Sequence, residues 1–304
     1  MKQRIYIFSP SSAVSDKSVI RRGAKRLEAL GYEVELDEAV FARDMRFAGD
    51  DDTRLAAIHR AAASGADLAL ISRGGYGLTR VLPRIKYKQV AKAIDKGLKF
   101  VGHSDFTAFQ LATFAETGRV TWQGPALGED FGGEGEPDDI AQACFEDLAS
   151  GQGEGTGWQL PRSEMRDRPF AVDGTLWGGN LAMIASLVGT QWLPKVKRGI
   201  LFLEDIGEHP YRVERMLAQL AYAGVLQSQK AIVFGQFTNY RLAPHDRGFK
   251  LQTVIDWLRT QVKAPVFSGL PFGHVATKVV LPVGAHVEMA VDGRDAFVVW
   301  GHRH

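Results

Sequence analysis

The sequence holds a single cysteine, Cys144, and no stretch that approaches the ~20 apolar residues needed to cross a bilayer. One cysteine cannot form an intramolecular disulfide, and the helical spacing around Cys144 predicts a small buried side chain. The first apolar run, IYIF, is far shorter than the core of a signal peptide. We therefore expect a soluble, cytoplasmic protein.

An excess of charge of one sign is lacking as well. Lysine and arginine number 37 against 35 aspartates and glutamates, a formal net charge of +2, which is too small for a phosphate-neutralising surface. Hydrophobic residues make up 45% of the 304 residues and charged residues 24%, which is typical of a folded chain long enough for two domains. We expect neither a nucleic-acid nor a membrane partner.

Motifs for metal and nucleotide binding are also missing. The sequence has no H-E-x-x-H motif and no cysteine cluster, so metal catalysis has no basis in it. It has no Walker A motif, and Arg80 stands where the third glycine of a G-x-G-x-x-G motif would be. We expect neither a metal nor an organic cofactor.

The first half of the chain alternates short apolar runs with helical patterns. Strands are predicted at residues 4–9, 32–36, 67–72, 99–102 and 119–122, and helices at residues 15–30, 50–64 and 106–116. Strands separated by helices in this way predict right-handed βαβ units and a mostly parallel sheet. Sites in such sheets lie in loops at the carboxyl ends of strands.

A glycine-rich, acidic stretch at residues 130–157 interrupts this alternation around one predicted helix, 137–150. We predict a domain boundary at its end, giving an N-terminal α/β domain, 1–157, and a C-terminal domain, 158–304. In the second domain we predict helices at residues 179–188 and 211–223 and strands at residues 199–205, 231–237, 278–281, 285–291 and 296–300. Asp292-Gly293 is typical of a hairpin turn, so we expect a mixed domain with an antiparallel end.

Two loops follow predicted strands, RGGYG at residues 73–77 and GHSD at residues 102–105. Adjacent glycines there can turn a backbone N–H toward a ligand, although they also form ordinary tight turns. Ser104 lies between a strand and a helix, like the serine of a nucleophile elbow, but Phe106 replaces the last glycine of G-x-S-x-G. The alternative is that Ser104 or Asp105 caps the helix.

Among the eight histidines, His274 is best placed to act as a base, because the proline and glycine of LPFGH shape a rigid turn. His103 adjoins Ser104, but neighbouring side chains on an extended backbone point to opposite faces, which makes it a poor partner for that hydroxyl. Four others lie in a helix, at a helix start or in the terminal tail: His59, His209, His302 and His304.

The predicted strand GILFLED ends in two acids, of which only one can point into a given cleft. Glu204 and Asp205 are therefore alternatives, with Glu208 at the following turn. Acids in such positions often cap the next helix, but a carboxylate at a strand end can also orient and stabilise a histidine.

Together, the motifs RGGYG, GHSD, WGGNL, LFLEDIGEHPYRVERML and LPFGH followed by LPVG resemble those of the LD-carboxypeptidases. This is the muramoyltetrapeptide carboxypeptidase family of serine peptidases, which includes the microcin C self-immunity proteins. The resemblance spans nearly the whole chain, with the motifs in the family's order. It implies an N-terminal Rossmann-like domain, a C-terminal domain with a β-barrel-like sheet, an active site between them and a homodimer.

The resemblance also implies roles for individual residues. Ser104, Glu204 and His274 match the family's catalytic triad, which favours Glu204 over its acidic neighbour. The backbone amides of Gly75 and Asp105 match the family's oxyanion hole.

Asn180 and Glu208 match positions that line the family's substrate cleft. The implied substrate is a cytoplasmic murein tetrapeptide, which loses its terminal D-alanine by hydrolysis of an L,D-amide bond in peptidoglycan recycling. The alternatives are a self-immunity-type hydrolase, which cleaves a peptidyl- or aminoacyl-nucleotide amide with the same triad, and a catalytically inert two-domain binding protein.

One residue departs from the family pattern. The family usually has tyrosine before the serine, as GYSD, whereas this chain has His103. If this histidine contacts substrate, we expect it to alter specificity, and its position beside the serine predicts an altered pH profile. The triad assignment does not depend on it.

Overall fold

Two β-sheets with surrounding helices make up the protein in a computed structural model that describes residues 2–301. The strands within these residues are β1 Arg4–Phe8, β2 Glu33–Leu36, β3 Leu68–Ile71, β4 Lys99–Gly102, β5 Thr121–Gln123, β6 Gly155–Gln159, β7 Arg166–Asn180, β8 Ile200–Ile206, β9 Ala231–Thr238, β10 Val266–Phe267, β11 Leu281–Val283, β12 His286–Gly293 and β13 Asp295–Val299. The α-helices are α1 Lys17–Ala29, α2 Asp51–Ala63, α3 Leu78–Val81, α4 Tyr87–Ile94, α5 Phe106–Thr117, α6 Asp139–Ser150, α7 Leu181–Ser186, α8 Pro210–Tyr222 and α9 Leu251–Gln261.

The first sheet has the strand order β11-β5-β4-β3-β1-β2. Its pairs are parallel except for β11, which runs antiparallel to β5. The side chains of β3 are all buried, as expected for an inner strand of a parallel sheet. Because β3 and β4 are parallel neighbours, the loops RGGYG and GHSD emerge side by side at one edge of the sheet.

The second sheet has the order β10-β9-β8-β7-β12-β13-β6 and mixes parallel with antiparallel pairs. The long strand β7 joins the two parts, because its first half pairs antiparallel with β12 and its second half pairs parallel with β8. The pairing of β7 with β8 sets Asn180 opposite Glu204. The end of β7 therefore lies beside the acidic end of β8.

The predicted mixed α/β class with a mostly parallel first sheet is confirmed. The strands and helices predicted before residue 157 are present to within a few residues, and so are the strands and helix predicted at 199–205, 211–223 and 231–237. The helix predicted at 179–188 begins too early, since residues 179–180 end β7. The sequence analysis missed α3, α4, α9, β6, β7 and β10.

The predicted β-barrel-like sheet is not confirmed. Within residues 2–301, the edge strands β10 and β6 do not pair with each other, so the second sheet stays open. At the predicted hairpin, Asp292 pairs with Asp295, which makes Gly293 and Arg294 the two turn residues, one position later than expected. The strand predicted at 278–281 shares only Leu281 with β11.

The predicted boundary at residue 157 falls inside β6, which pairs with β13 of the second sheet. The reverse holds for β11, which comes from the C-terminal half of the chain but belongs to the first sheet, where it pairs with β5. The division into domains 1–157 and 158–304 stays a prediction.

Two further predictions concern single features. Cys144 is half-buried in α6 rather than fully buried, and burial raises the pKa of its thiol. Among the helices of residues 2–301, none is long and apolar enough to cross a membrane.

A buried ion pair joins the two halves of the chain. Lys278 Nζ, from the loop before β11, lies 2.6 Å from Asp130 Oδ1, and the side chains are only 2% and 6% exposed. Asp130 also accepts a hydrogen bond from the Ala126 N–H at 2.7 Å. Removing one partner of such a pair leaves an uncompensated buried charge, which costs about 3–5 kcal/mol.

We expect Lys278→Met to lower the free energy of unfolding by about 3 kcal/mol, because Asp130 is left charged and buried. The double variant Lys278→Met/Asp130→Asn should recover much of this loss, since the amide oxygen still accepts from Ala126. Urea-induced unfolding measures both. Arg119→Met, which breaks the exposed pair of Arg119 with Asp95, is the control and should cost less than about 1 kcal/mol. A double variant as unstable as the single variant would contradict this assignment.

Candidate active site

Three side chains from separate parts of the chain form a continuous hydrogen-bonded series. Ser104 follows β4, Glu204 lies in β8, and His274 lies in the loop after β10. His274 Nε2 is 3.0 Å from Ser104 Oγ, and His274 Nδ1 is 2.8 Å from Glu204 Oε2. Glu204 is fully buried, whereas Ser104 is 9% exposed, so the series runs from the interior toward the surface. The structure brings together the three residues that the resemblance implied.

Ser104 occupies a sharp turn between β4 and α5. Its φ of +64° is left-handed, a conformation that costs a non-glycine residue about 1–3 kcal/mol. The turn is tightly packed, because a Cβ on Gly74 would lie 2.7 Å from the Ser104 Cβ, and one on Gly102 would meet Ile71. Phe106, in the position of the missing glycine, is fully buried at the start of α5. The backbone thus has the layout of a nucleophile elbow without the G-x-S-x-G sequence.

Two backbone amides beside Ser104 are available to an incoming oxygen. Within residues 2–301, neither the Gly75 nor the Asp105 N–H donates to a protein acceptor. Asp105 N–H also lies at the N-terminal end of α5, where the helix dipole favours negative charge. Such a pair of amides can stabilise an oxyanion.

The Asp105 side chain ties the nucleophile turn to the glycine loop. Its Oδ2 accepts from the Leu78 N–H at 3.0 Å, and burial raises the pKa of this carboxyl. The carboxylate is therefore engaged away from α5, and neither it nor the Ser104 hydroxyl caps that helix. The capping alternative is wrong.

Two neighbours hold the Glu204 carboxylate in place. Its Oε2 faces His274, and its Oε1 accepts from Asn180 Nδ2 at 3.2 Å. The same amide group donates to Asp205 Oδ1 at 3.0 Å. Asp205 also accepts from the Ala182 N–H at the start of α7, and burial together with the Glu204 charge raises its pKa to about 6. The two acids thus have different partners: Glu204 is bonded to His274, and Asp205 is bonded to the start of α7.

His274 is held close to Glu204 by the preceding turn. Gly273 has a φ of +139°, and a Cβ there would lie 2.9 Å from the Gln236 carbonyl oxygen and 3.2 Å from the Glu204 side chain. Burial lowers the pKa of His274, but the hydrogen bond and charge of Glu204 outweigh burial and, with Glu129, raise it overall. An imidazole whose protonated form is stabilised in this way can act as a general base.

Three other histidines are bonded elsewhere. His103 is not bonded to the Ser104 hydroxyl, in line with its prediction as a poor partner, and its ring nitrogens are bonded to Gly124 and Glu129. His59 accepts from the Lys86 N–H, and His209 is paired with Asp246. His302 and His304 lie outside the described residues.

The two predicted cleft residues, Asn180 and Glu208, are engaged by neighbouring side chains. Asn180 is 5% exposed, and its amide is occupied by the two acids of β8. Glu208 is paired with Arg212 one helical turn later. Arg73, the first residue of the RGGYG loop, donates to the Ala13 carbonyl oxygen at 3.3 Å.

A small cavity of about 120 Å³ opens next to the glycine loop. Its lining includes Arg73 of that loop, the preceding Ser72, Asp16 just before α1, and Glu129. A larger cavity of about 600 Å³ lies around Trp177 and residues 188–197 and shares no lining residue with the serine, glutamate and histidine. Within residues 2–301, no cluster of three or more histidine, cysteine or acidic side chains is arranged to hold a metal ion.

The sequence analysis missed Glu129 and Lys278, which lie near His274. Glu129 belongs to a π-helical turn, Leu127–Phe131, in the loop that follows β5. Because that loop leaves the carboxyl edge of a parallel strand, the sheet topology could have drawn attention to it. Lys278 had no such signal, since it lies in an irregular segment of the second half.

Comparison with known proteins places these features in one family. Residues 5–124 match the LD-carboxypeptidase N-terminal domain, and residues 173–289 match the LD-carboxypeptidase C-terminal domain. A probable murein peptide carboxypeptidase of Bacillus subtilis is 30% identical over 90% of this chain and 85% of its own length. A murein tetrapeptide carboxypeptidase of Pseudomonas aeruginosa is 30% identical over 92% of this chain and 91% of its own.

Solved structures agree with this match. The muramoyltetrapeptide carboxypeptidase from Oxalobacter formigenes superposes with a TM-score of 0.88 at 37% identity and covers 98% of this chain and 99% of its own. A microcin self-immunity protein in complex with aspartyl sulfamoyl adenosine superposes with a TM-score of 0.87 at 22% identity, over 100% of this chain and 98% of its own. The second likeness concerns the fold alone.

We expect Glu204→Gln to lower the pKa of His274, because the carboxylate supplies the charge and hydrogen bond that raise it. An NMR titration of the labelled imidazole measures this directly. Glu208→Gln makes the same charge change four residues later, where the carboxylate is paired with Arg212, and serves as the control. Equal pKa values of His274 in the wild type and Glu204→Gln would refute the interpretation.

Proposed function

The chain belongs to the LD-carboxypeptidase family, and we propose that it is a serine peptidase that releases terminal D-alanine from murein tetrapeptides. The bond that it hydrolyses is the amide between an L-centre and the D-residue, and the product serves peptidoglycan recycling. The observation that carries this proposal is the series from Ser104 through His274 to Glu204 at hydrogen-bond distances. The names of the Bacillus, Pseudomonas and Oxalobacter relatives supply the substrate class.

In the first step, Ser104 Oγ attacks the carbonyl carbon of the L-centre while His274 Nε2 accepts the hydroxyl proton. His274 Nδ1–H donates to Glu204, which orients the ring and stabilises the imidazolium that forms. The protonated ring then gives its proton to the leaving nitrogen of D-alanine. Water hydrolyses the resulting acyl-enzyme with His274 again as the base.

The negative charge that develops on the carbonyl oxygen needs donors that are fixed before the reaction. We assign this role to the Gly75 and Asp105 N–H groups, which have no protein acceptor within the described residues. The hydrogen bond from Leu78 to the Asp105 carboxylate holds one donor relative to the other. Donors arranged in this way stabilise the tetrahedral intermediate without reorganising.

Asn180 supports the base through Glu204, because its amide donates to that carboxylate. Contacts of Asn180 and Glu208 with the substrate stay predictions, as do the homodimer and the cytoplasmic location. Light scattering of the purified protein tests the homodimer, and cell fractionation tests the cytoplasmic location.

We expect Ser104→Ala, His274→Ala and Glu204→Ala each to reduce D-alanine release by at least about 10³-fold, because the triad acts as one unit. The assay uses a diaminopimelate-containing murein tetrapeptide, with folding matched by circular dichroism. No release by the wild type, combined with hydrolysis of an aminoacyl sulfamoyl adenosine, would replace the substrate assignment with the self-immunity-type reaction. Full activity of Ser104→Ala would refute the serine mechanism.

We expect Gly75→Ala to lower kcat by about 10²- to 10³-fold, the typical cost of losing one oxyanion donor. At this residue φ is +103°, and an added Cβ would lie 2.2 Å from Ser12 Oγ, so the loop must move. Gly97→Ala is a matched control, because its φ is +102° and nothing lies within 4 Å of an added Cβ. Both variants carry the same backbone strain, so equal losses of kcat would contradict the assignment.

A further inference from the structure

His103, immediately before the nucleophile, is fully buried and bonded on both ring nitrogens. Its Nδ1 lies 3.0 Å from the Gly124 carbonyl oxygen, and its Nε2 lies 3.0 Å from Glu129 Oε2. Gly124 follows β5, and Glu129 belongs to the turn Leu127–Phe131. The imidazole therefore joins the nucleophile strand to the next loop along the sheet edge.

Both partners of this ring are hydrogen-bond acceptors. A carbonyl oxygen only accepts, and so does an ionised carboxylate, so each ring nitrogen must donate a proton. Burial raises the pKa of Glu129, but the hydrogen bond and charge of His103, with His274 and Lys278, lower it to about 2. The hydrogen-bond geometry fits an ionised Glu129 facing a ring that carries a proton on each nitrogen.

This pair lies against the catalytic base. The rings of His103 and His274 meet edge to face with centroids 5.2 Å apart. The charged groups facing His274 are Glu204 from β8, Glu129 from the Leu127–Phe131 turn, and Lys278 from its own loop. Lys278 is paired with Asp130, so when a cation at His103 pairs with Glu129, Glu204 is the one of these three groups without an oppositely charged partner other than His274.

We propose that His103 is a buried imidazolium paired with Glu129, and that this pair is a positioning element that keeps the wall beside His274 electrically neutral. The inference rests on the proposed function, since it assigns His274 as the base that the pair serves. The pair holds the turn Leu127–Phe131 against the nucleophile elbow. With that wall neutral, Glu204 is the main charge that sets the pKa of His274.

Charge counting separates this role from a merely structural one. Glu129→Gln leaves a neutral pair, because the glutamine amide donates to a neutral His103 Nε2 and the Nδ1–H still reaches Gly124. His103→Gln instead leaves Glu129 as an unpaired anion beside His274. The double variant His103→Gln/Glu129→Gln is neutral again.

The test is an NMR titration of His274 in protein with isotope-labelled histidine. We expect His103→Gln to raise the pKa of His274 by about one pH unit, the effect of one nearby anion at a partly shielded distance. In Glu129→Gln and in the double variant, the pKa of His274 should lie within a few tenths of a unit of the wild-type value. In the wild type, the His103 ring should show two protonated nitrogens at pH 7.

Lys88→Gln and Glu28→Gln repeat these charge changes at exposed positions and should leave the His274 titration unchanged. The acid limb of kcat/KM should move with His274, to higher pH in His103→Gln and back in the double variant. Two results would overturn the proposal. One is an equal shift of the His274 pKa in His103→Gln and in the double variant, and the other is a singly protonated His103 in the wild type. These NMR readouts need no substrate, so a wild type that releases no D-alanine would refute the proposed function separately.

Discussion

The burial of the Glu204 carboxylate is the constraint on which the rest of the site depends. A fully buried carboxylate is tolerated only when polar partners replace its water, and here His274 and Asn180 do so. Because the carboxylate only accepts, the proton of a neutral His274 must reside on Nδ1. The lone pair of Nε2 is then directed at the Ser104 hydroxyl. One buried charge therefore selects both the tautomer and the direction of the base.

The triad draws on both sheets, so their relative position must be fixed closely. Thr107, on the nucleophile helix, accepts from the Asn180 N–H at 3.1 Å and from Gln123 Nε2 at 2.8 Å. Gly179 makes this approach possible, since a Cβ there would lie 2.2 Å from the same Gln123 nitrogen. The residue that supports Glu204 is thus bonded through its backbone to the helix that follows Ser104. The geometry of base and nucleophile is set by this junction rather than by either sheet alone.

Local patterns predicted much of this arrangement because the first sheet is built from short βαβ units. Ser104 stood out at a strand-to-helix turn and His274 in a rigid loop, while the choice of Glu204 over Asp205 needed the family resemblance. Strand β7 was missed because its alternating polar residues, proline and glycines resemble a loop until β12 and β8 pair with it. Sheet topology could have pointed to the loop of Glu129, but not to the pairing of Glu129 with His103, because these residues meet only when the sheet has formed.

His103, the residue before Ser104, also depends on its surroundings. A neutral aromatic side chain, such as the tyrosine usual in the resembled family, makes no demand for a counter-charge. A buried histidine whose ring faces a carbonyl and a carboxylate can donate to both only if it carries an extra proton, and that charge then requires a fixed anion. Here Glu129 meets this requirement while remaining close enough to His274 to affect it. His103 and Glu129 therefore act as one feature, and neither can be understood from its own position in the chain.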